Sequence, residues 1–310
     1  MDNSHDSQQT PCSGPHAKLG GNMSRRRFLH ASAAATGAAV WAAACNGANA
    51  AELVPGGVDG EVMGYTDTEM LPWAPEYHKH DPNRPWPTDI DPGELTHPEE
   101  PAAPPPSDAI VLFDGEDTSA FEQPHDWEVE NGVLVAYEED IVTQESFGDC
   151  QLHLEWMAPD PPRGGLTDRG NSGVFMMGRY EIQIFDSYTE KIYPDGIAGA
   201  IYGETPPMVH PIRPPGQWNS YDILFTTPVF ENGEVVRPAT VTMHFNGILV
   251  HCNQVIYGPT DWREISEYEP HPPEGPVRLQ EHNNPVRFRN IWIRPMENLK
   301  DMVPIRDWPV

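Results

Sequence analysis

From Ser107 onward the chain is a succession of short apolar runs cut by Gly, Pro, Asn and Asp. Gln151-Leu152-His153-Leu154-Glu155-Trp156 alternates, which puts Leu152, Leu154 and Trp156 on one face of a strand and Gln151, His153 and Glu155 on the other. Tyr180 to Phe185 and Trp218 to Phe225 alternate in the same way, and Ile110 to Phe113 reads as a further strand. Two hairpins are marked by Asn-Gly pairs, whose tolerance of positive φ suits a type I′ turn: Trp127 to Val135 around Asn131-Gly132, and Val241 to His251 around Asn246-Gly247. In Val286 to Ile293 the aliphatic phase slips near Asn290, as it does at a β-bulge. No segment between Ser107 and Pro295 sustains a 3.6-residue apolar period. The pattern therefore predicts an all-β, two-sheet antiparallel sandwich.

The first third of the chain is different. Ala51 to Pro106 has no apolar period and is dense in Asp-Pro, Arg-Pro and Pro-Pro pairs, which favour extended backbone. It reads as a spacer or as an arm lying on the domain surface, and the two histidines of its His78-Lys79-His80-Asp81 run read as solvated and not as a metal site. Upstream, Ser24-Arg25-Arg26-Arg27-Phe28-Leu29 precedes an Ala-rich stretch ending at Ala44, too short and too weakly apolar for a bilayer span. Paired arginines before Phe-Leu resemble a twin-arginine export signal, with translation starting at Met1 or Met23 and cleavage after Ala48-Asn49-Ala50. The expected location is periplasmic or extracellular, with membrane attachment only if Cys45 is lipidated. The chain thus divides into residues 1–50 (signal), 51–106 (arm), 107–296 (sandwich) and 297–310 (tail). Of the cysteines, Cys150 and Cys252 remain after processing, and they are expected either to pair or to stay as thiols in strands.

A formal charge of −28 with only four lysines excludes a nucleic-acid partner, because phosphate binding needs a basic surface. No carboxylates have the regular spacing of a calcium loop, so neither metal nor cofactor is expected. Attention passes to outward strand faces that combine acids, amides and aromatics, since rings cover the C–H faces of a sugar and polar groups bond its hydroxyls. In Glu181-Ile182-Gln183-Ile184-Phe185-Asp186, Glu181 and Gln183 share a face, and Asp186 joins them only through a bulge. The run looks like the Glu-x-Asp-x-x-Glu strand of laminarinase-type glycosidases, with Gln183 and Asp186 as departures.

Across the sandwich, several stretches resemble the 3-keto-disaccharide hydrolase domain family: Leu112-Phe113-Asp114-Gly115, Leu152 to Trp156, Gly170-Asn171-Ser172-Gly173-Val174-Phe175, Tyr180 to Asp186, Gly199-Ala200-Ile201-Tyr202, Gly216-Gln217-Trp218-Asn219, Phe245-Asn246-Gly247, Val277 to His282 and Val286 to Ile293. The His80-Asp81-Pro82-Asn83-Arg84-Pro85 arm is similar to arms in that family. Cys150, where an aromatic is usual, and the Pro-rich insert from Ala158 to Arg169 depart from it. The resemblance implies a concanavalin-like jelly roll and an enzyme that cleaves 3-keto-glycosides by acid/base elimination and hydration or by direct hydrolysis. Its implied partner is an oligosaccharide or glycoside. Glu155, Glu181, Asp186 and His282 would supply the proton transfers, and Asn171, Gln183, Tyr202, Trp218 and Gln280 would hold the sugar. A lectin-like binding module and a conventional laminarinase-type hydrolase are the alternatives.

Overall fold

The computed structural model describes residues 53–57, 60–95, 97–101 and 104–296. The signal region, with Met23 and Cys45, and the 297–310 tail lie outside the described residues. The sandwich strands are β1 (Ile110–Phe113), β2 (Glu128–Glu130), β3 (Val133–Val135), β4 (Ile141–Phe147), β5 (Cys150–Met157), β6 (Ser172–Met176), β7 (Tyr180–Ile184), β8 (Asn219–Thr226), β9 (Thr240–Phe245), β10 (Ile248–Val255), β11 (Gly275–Leu279) and β12 (Arg287–Pro295). An eight-stranded sheet runs β10-β9-β8-β5-β12-β3-β2, with β1 also paired to β12, and a four-stranded sheet runs β7-β6-β11-β4. Every pairing within these two sheets is antiparallel.

The alternation in the sequence is what fills the space between the sheets. Leu152, Leu154 and Trp156 of β5, Tyr221, Ile223 and Phe225 of β8, and Val241, Met243 and Phe245 of β9 form one core with Tyr180, Ile182 and Ile184 of β7 and Val277 and Leu279 of β11. Truncating a fully buried leucine such as Leu154 removes about 2–5 kcal/mol of stability. Both expected Asn-Gly turns form with positive φ at each residue: Asn131 at 53° and Gly132 at 81°, Asn246 at 53° and Gly247 at 77°. The bulge falls where the phase slips, for β12 shifts register against β5 between His153 and Glu155 and Asn290 takes a φ of 50°.

The Pro-rich segment is an arm packed on the sandwich and not a free spacer. Leu71 and His80 are inaccessible and Lys79 nearly so, which overturns the expectation of a solvated side chain at His80. Val54–Gly56 pairs with Val62–Gly64, Met70–Leu71 with Ala74–His78, and Thr88–Asp89 lies parallel to Val209–His210. Trp73 stacks on Tyr257 at 4.2 Å between ring centroids. Prolines keep the backbone extended, and the apolar side chains between them give the arm its grip.

Cys150 is a buried free thiol and Cys252 an exposed one. They stand on β5 and β10, three strand spacings apart in the sheet order. That is roughly 14 Å, twice the separation a disulfide spans.

Candidate functional site

Because Tyr180, Ile182 and Ile184 enter the core, Glu181 and Gln183 point out from the opposite face of the four-stranded sheet. Across β6 the residue opposite Glu181 is Phe175 and the one opposite Gln183 is Gly173; across β11, Arg278 stands opposite Phe175. On the other side the chain at 199–203 extends the sheet. Gln183 N–H donates to the Ala200 carbonyl at 2.9 Å, Tyr202 N–H donates to the Glu181 carbonyl at 3.1 Å, and Ile201 bridges to Ile182. Gln280 N–H donates to the Gly173 carbonyl at 3.0 Å. Directly opposed residues share a face, so two rows lie side by side: Tyr202, Glu181, Phe175 and Arg278, then Ala200, Gln183, Gly173 and Gln280. Asn171 continues the phase of β6, and His282 follows Gln280 in the loop where its Nδ1 lies 3.4 Å from Asp168 Oδ1. Glu181 and Gln183 form a buried floor, while Asn171, Tyr202, Arg278, Gln280 and His282 form a half-buried rim.

The floor is electrostatically unusual. The Glu181 side chain lies over Gly173, where an added Cβ would overlap its carboxylate. Burial pushes the Glu181 pKa up to about 8; Arg278 and Lys79 pull it down and Asp140 adds to the rise. Its backbone N–H donates to Thr260 Oγ1 at 2.8 Å. Gln183 Oε1 is buried without a hydrogen-bond partner among the described residues. Such an acceptor costs about 1–3 kcal/mol, which a ligand hydroxyl would recover. The Tyr202 hydroxyl is 3.4 Å from that of Tyr193, and burial raises both phenols well above their ordinary range, so they stay protonated donors. Arg278 pairs with Asp140 and lies 3.5 Å over the Phe175 ring. Beside them a cavity of about 530 Å³ is lined by Phe175, Arg278, Thr260, Asp261 and Tyr268 among others.

Glu155 and Trp218 are elsewhere, on the outward face of the eight-stranded sheet. Arg289 Nε and one terminal nitrogen each lie 2.8 Å from Glu155 Oε2, and Asn290 Nδ2 donates to Oε1 at 2.8 Å. Arg289 also donates to the carbonyls of Pro98 and Glu100 and lies 4.2 Å over the Trp218 ring. His153 Nδ1 is 2.7 Å from Asp222 Oδ1, and its ring stacks on Trp292. Burial opposes charge on His153, but hydrogen bonds to Asp222 and Glu155 outweigh it and raise the pKa to about 9. Alternation shows that Glu155 faces outward without saying from which sheet. Asp186 also leaves the group, because it lies beyond β7 in a buried pair with Arg169 Nε at 2.7 Å and anchors the insert that ends there.

The sequence reading passed over Gly173, Phe175 and Arg278, although they share strand phase with Asn171 and Gln280. Tyr193 and Asp195 are marked by no local pattern, and His80 is marked only as part of the arm. Ser187 Oγ, His210 and Asp89 follow the order of a nucleophilic relay, at 2.8 Å for each link. Ser187 is inaccessible and accepts the Ala198 N–H, whereas Asp89 is exposed, the reverse of what a nucleophile needs. The relay fastens the arm to the 185–200 loop. Among the described residues, His97, Glu99 and Glu100 bring possible metal-ligand atoms within 4.8 Å of one another, all on exposed side chains away from Glu181 in the chain segment that caps Glu155.

A family described as 3-keto-alpha-glucoside-1,2-lyase-like domain matches residues 108–294. The chain is similar to the crystal structure of a candidate glycosyl hydrolase from Parabacteroides distasonis ATCC 8503, with 40% identity over 61% of this chain and 84% of that one and a TM-score of 0.59. A second candidate glycosyl hydrolase from the same organism is 24% identical over 61% of this chain and 94% of its own, with a TM-score of 0.45. Among curated proteins none matches. The match runs from β1 into β12 and takes in both sheets, and the chain belongs to the 3-keto-alpha-glucoside-1,2-lyase-like domain family.

Proposed function

We propose that this chain is a carbohydrate-active enzyme that cleaves 3-keto-glycosides on the outward face of its four-stranded sheet. The observation that carries the reading is Glu181: a buried carboxyl with a pKa near 8, flanked by an unpaired amide oxygen and a protonated phenol. A C3 ketone acidifies the C2 proton. Ionised Glu181 takes that proton, the electron pair moves into the C3 carbonyl, and Tyr202 donates to the oxygen as it becomes an enolate. The enolate then expels the C1 substituent, whose oxygen is protonated by His282 at the rim, leaving an enone. Water adds at C1, a proton returns to C2, and the sum is hydrolysis. Gln183, Gln280 and Asn171 bind the ring hydroxyls.

Conventional retaining or inverting hydrolysis needs a second working carboxylate facing the first. Here Gln183 occupies the neighbouring position and Asp186 is held by Arg169. The family description and the glycosyl hydrolase relative support a carbohydrate substrate. The test is to incubate the chain with a matched pair of ordinary and 3-keto glycosides and identify the products. Cleavage of the ketone alone is expected, with deuterium entering C2 in heavy water. Equal cleavage of the ordinary glycoside, or binding of both without turnover, would overturn the reading.

A further inference from the structure

Tyr202 is in the row beside Glu181, but a phenol donates usefully to a developing oxyanion only if its ring is held before the charge appears. The groups that hold it come from the arm and from the 193–195 turn. The His80 ring centroid is 4.1 Å from that of Tyr193 and 5.1 Å from that of Tyr202, and Tyr65 packs 5.9 Å from Tyr193. His80 is inaccessible and has a φ of 60°, a left-handed conformation that few residues other than glycine adopt without cost.

That conformation is fixed from several sides. His80 N–H donates to Asp195 Oδ2 at 2.9 Å, and its Nδ1 stands 3.3 Å from Oδ1 of the same carboxylate. Tyr65 N–H donates to the His80 carbonyl at 2.9 Å. Asp195 is inaccessible too; burial works against its charge, but His80 and Arg84 outweigh that and hold its pKa below the usual value. Its carbonyl accepts the N–H of Gly203 at 2.7 Å, which ties the turn to the residue after Tyr202. At Gly203, with a φ of 69°, an added Cβ would meet the end of the Lys79 side chain. Strain in the arm is thus spent next to the phenols, and His80 Nε2 is left buried without a hydrogen-bond partner among the described residues.

We propose that His80, with Asp195, is a positioning residue of the site: the pair fixes the Tyr193 and Tyr202 phenols so that Tyr202 donates to the substrate's C3 oxygen. This rests on the 3-keto-glycoside reading. It makes the arm a part of the active site.

The experiment is a double-mutant cycle on the full chain with a 3-keto-glycoside. Tyr202→Phe removes the donor and should lower kcat by about 10²–10³-fold with KM changed less than about threefold. His80→Asn removes the ring, keeps an amide near Asp195, and suits the left-handed backbone. It should lower kcat about 10-fold or more at similar KM, and its loss should nearly vanish when Tyr202 is already Phe. Additive losses in the double variant, or an unchanged kcat in His80→Asn, overturn the inference. If His80→Asn does not fold, the cycle is run with Tyr193→Phe, which keeps every ring contact; a loss that adds fully to that of Tyr202→Phe overturns it equally. Lack of wild-type turnover on the ketone overturns the functional reading and this inference together, whereas wild-type turnover with an additive cycle overturns this inference alone.

Discussion

On the outward face of the eight-stranded sheet, Glu155 gives its oxygens to Arg289 and Asn290 and is sealed by the Pro98 and Glu100 carbonyls above Arg289. On the outward face of the four-stranded sheet, Glu181 lies among groups that leave it neutral near pH 7, next to the unpaired Gln183 oxygen and beneath a half-buried rim. Both carboxyls are buried strand acids in alternating sequences. What separates them is whether their hydrogen-bonding capacity is used up. A saturated, capped cluster holds a fold together, while an unsaturated floor under an open rim has something left to do.

Substitutions at the two acids should therefore diverge. The largest expected effect is on rate: Glu181→Gln should cut turnover of a 3-keto-glycoside by roughly two to four orders of magnitude, with binding retained and the thermal midpoint little changed. At the other face the effect should be on stability. Arg289→Met leaves Glu155 buried without its cation and should cost about 3–5 kcal/mol in denaturant unfolding, while kcat of the folded fraction stays within a few-fold. The arm extends the comparison, since it touches both faces. Leu71→Ala, inside the arm, should cost about 2–5 kcal/mol, where a free spacer would show no change in the thermal midpoint.

The smallest effect is on pH-dependent stability and has opposite signs for two histidines. His153 has a folded pKa near 9, above its unfolded value, so its contribution is complete below about pH 6.5 and is lost as pH rises through 9. Burial lowers His251 to about 4, although its bond to the Gly199 carbonyl opposes the shift. Its contribution is complete above about pH 6.5 and is lost as pH falls toward 4. Thermal midpoints across pH should lose the alkaline slope in His153→Gln and the acid slope in His251→Gln; unchanged slopes would contradict these assignments.

The sandwich was legible because its strands alternate: Leu152, Leu154 and Trp156 announce a core face by themselves, and Asn131-Gly132 and Asn246-Gly247 announce turns. Glu181, Gln183, Tyr202 and Gln280 were legible as a group because they lie in strand-phased runs and meet on one face. Glu155 and Trp218 were misplaced because period-2 alternation fixes inside against outside but not which sheet's outside. Asp186 stays outside the Glu181 and Gln183 row, as strand phase requires when no bulge interrupts β7. His80 and Asp195 were illegible, since the contact joining them spans 115 residues and neither sits in a periodic segment. The arm's packing was hidden for a related reason: prolines suppress the periodicity by which burial is usually read.

The central claim is that proton transfer belongs to Glu181 on the four-stranded sheet, and the direct measurement is kcat/KM on a 3-keto-glycoside from about pH 6 to 10. A base with a pKa raised to about 8 must lose its proton to act. With removal of the C2 proton limiting, the rate constant should climb about tenfold per pH unit up to about 8, with the limb absent in Glu181→Gln and intact in Glu155→Gln. A limb that survives in Glu181→Gln, or disappears in Glu155→Gln, would contradict the account.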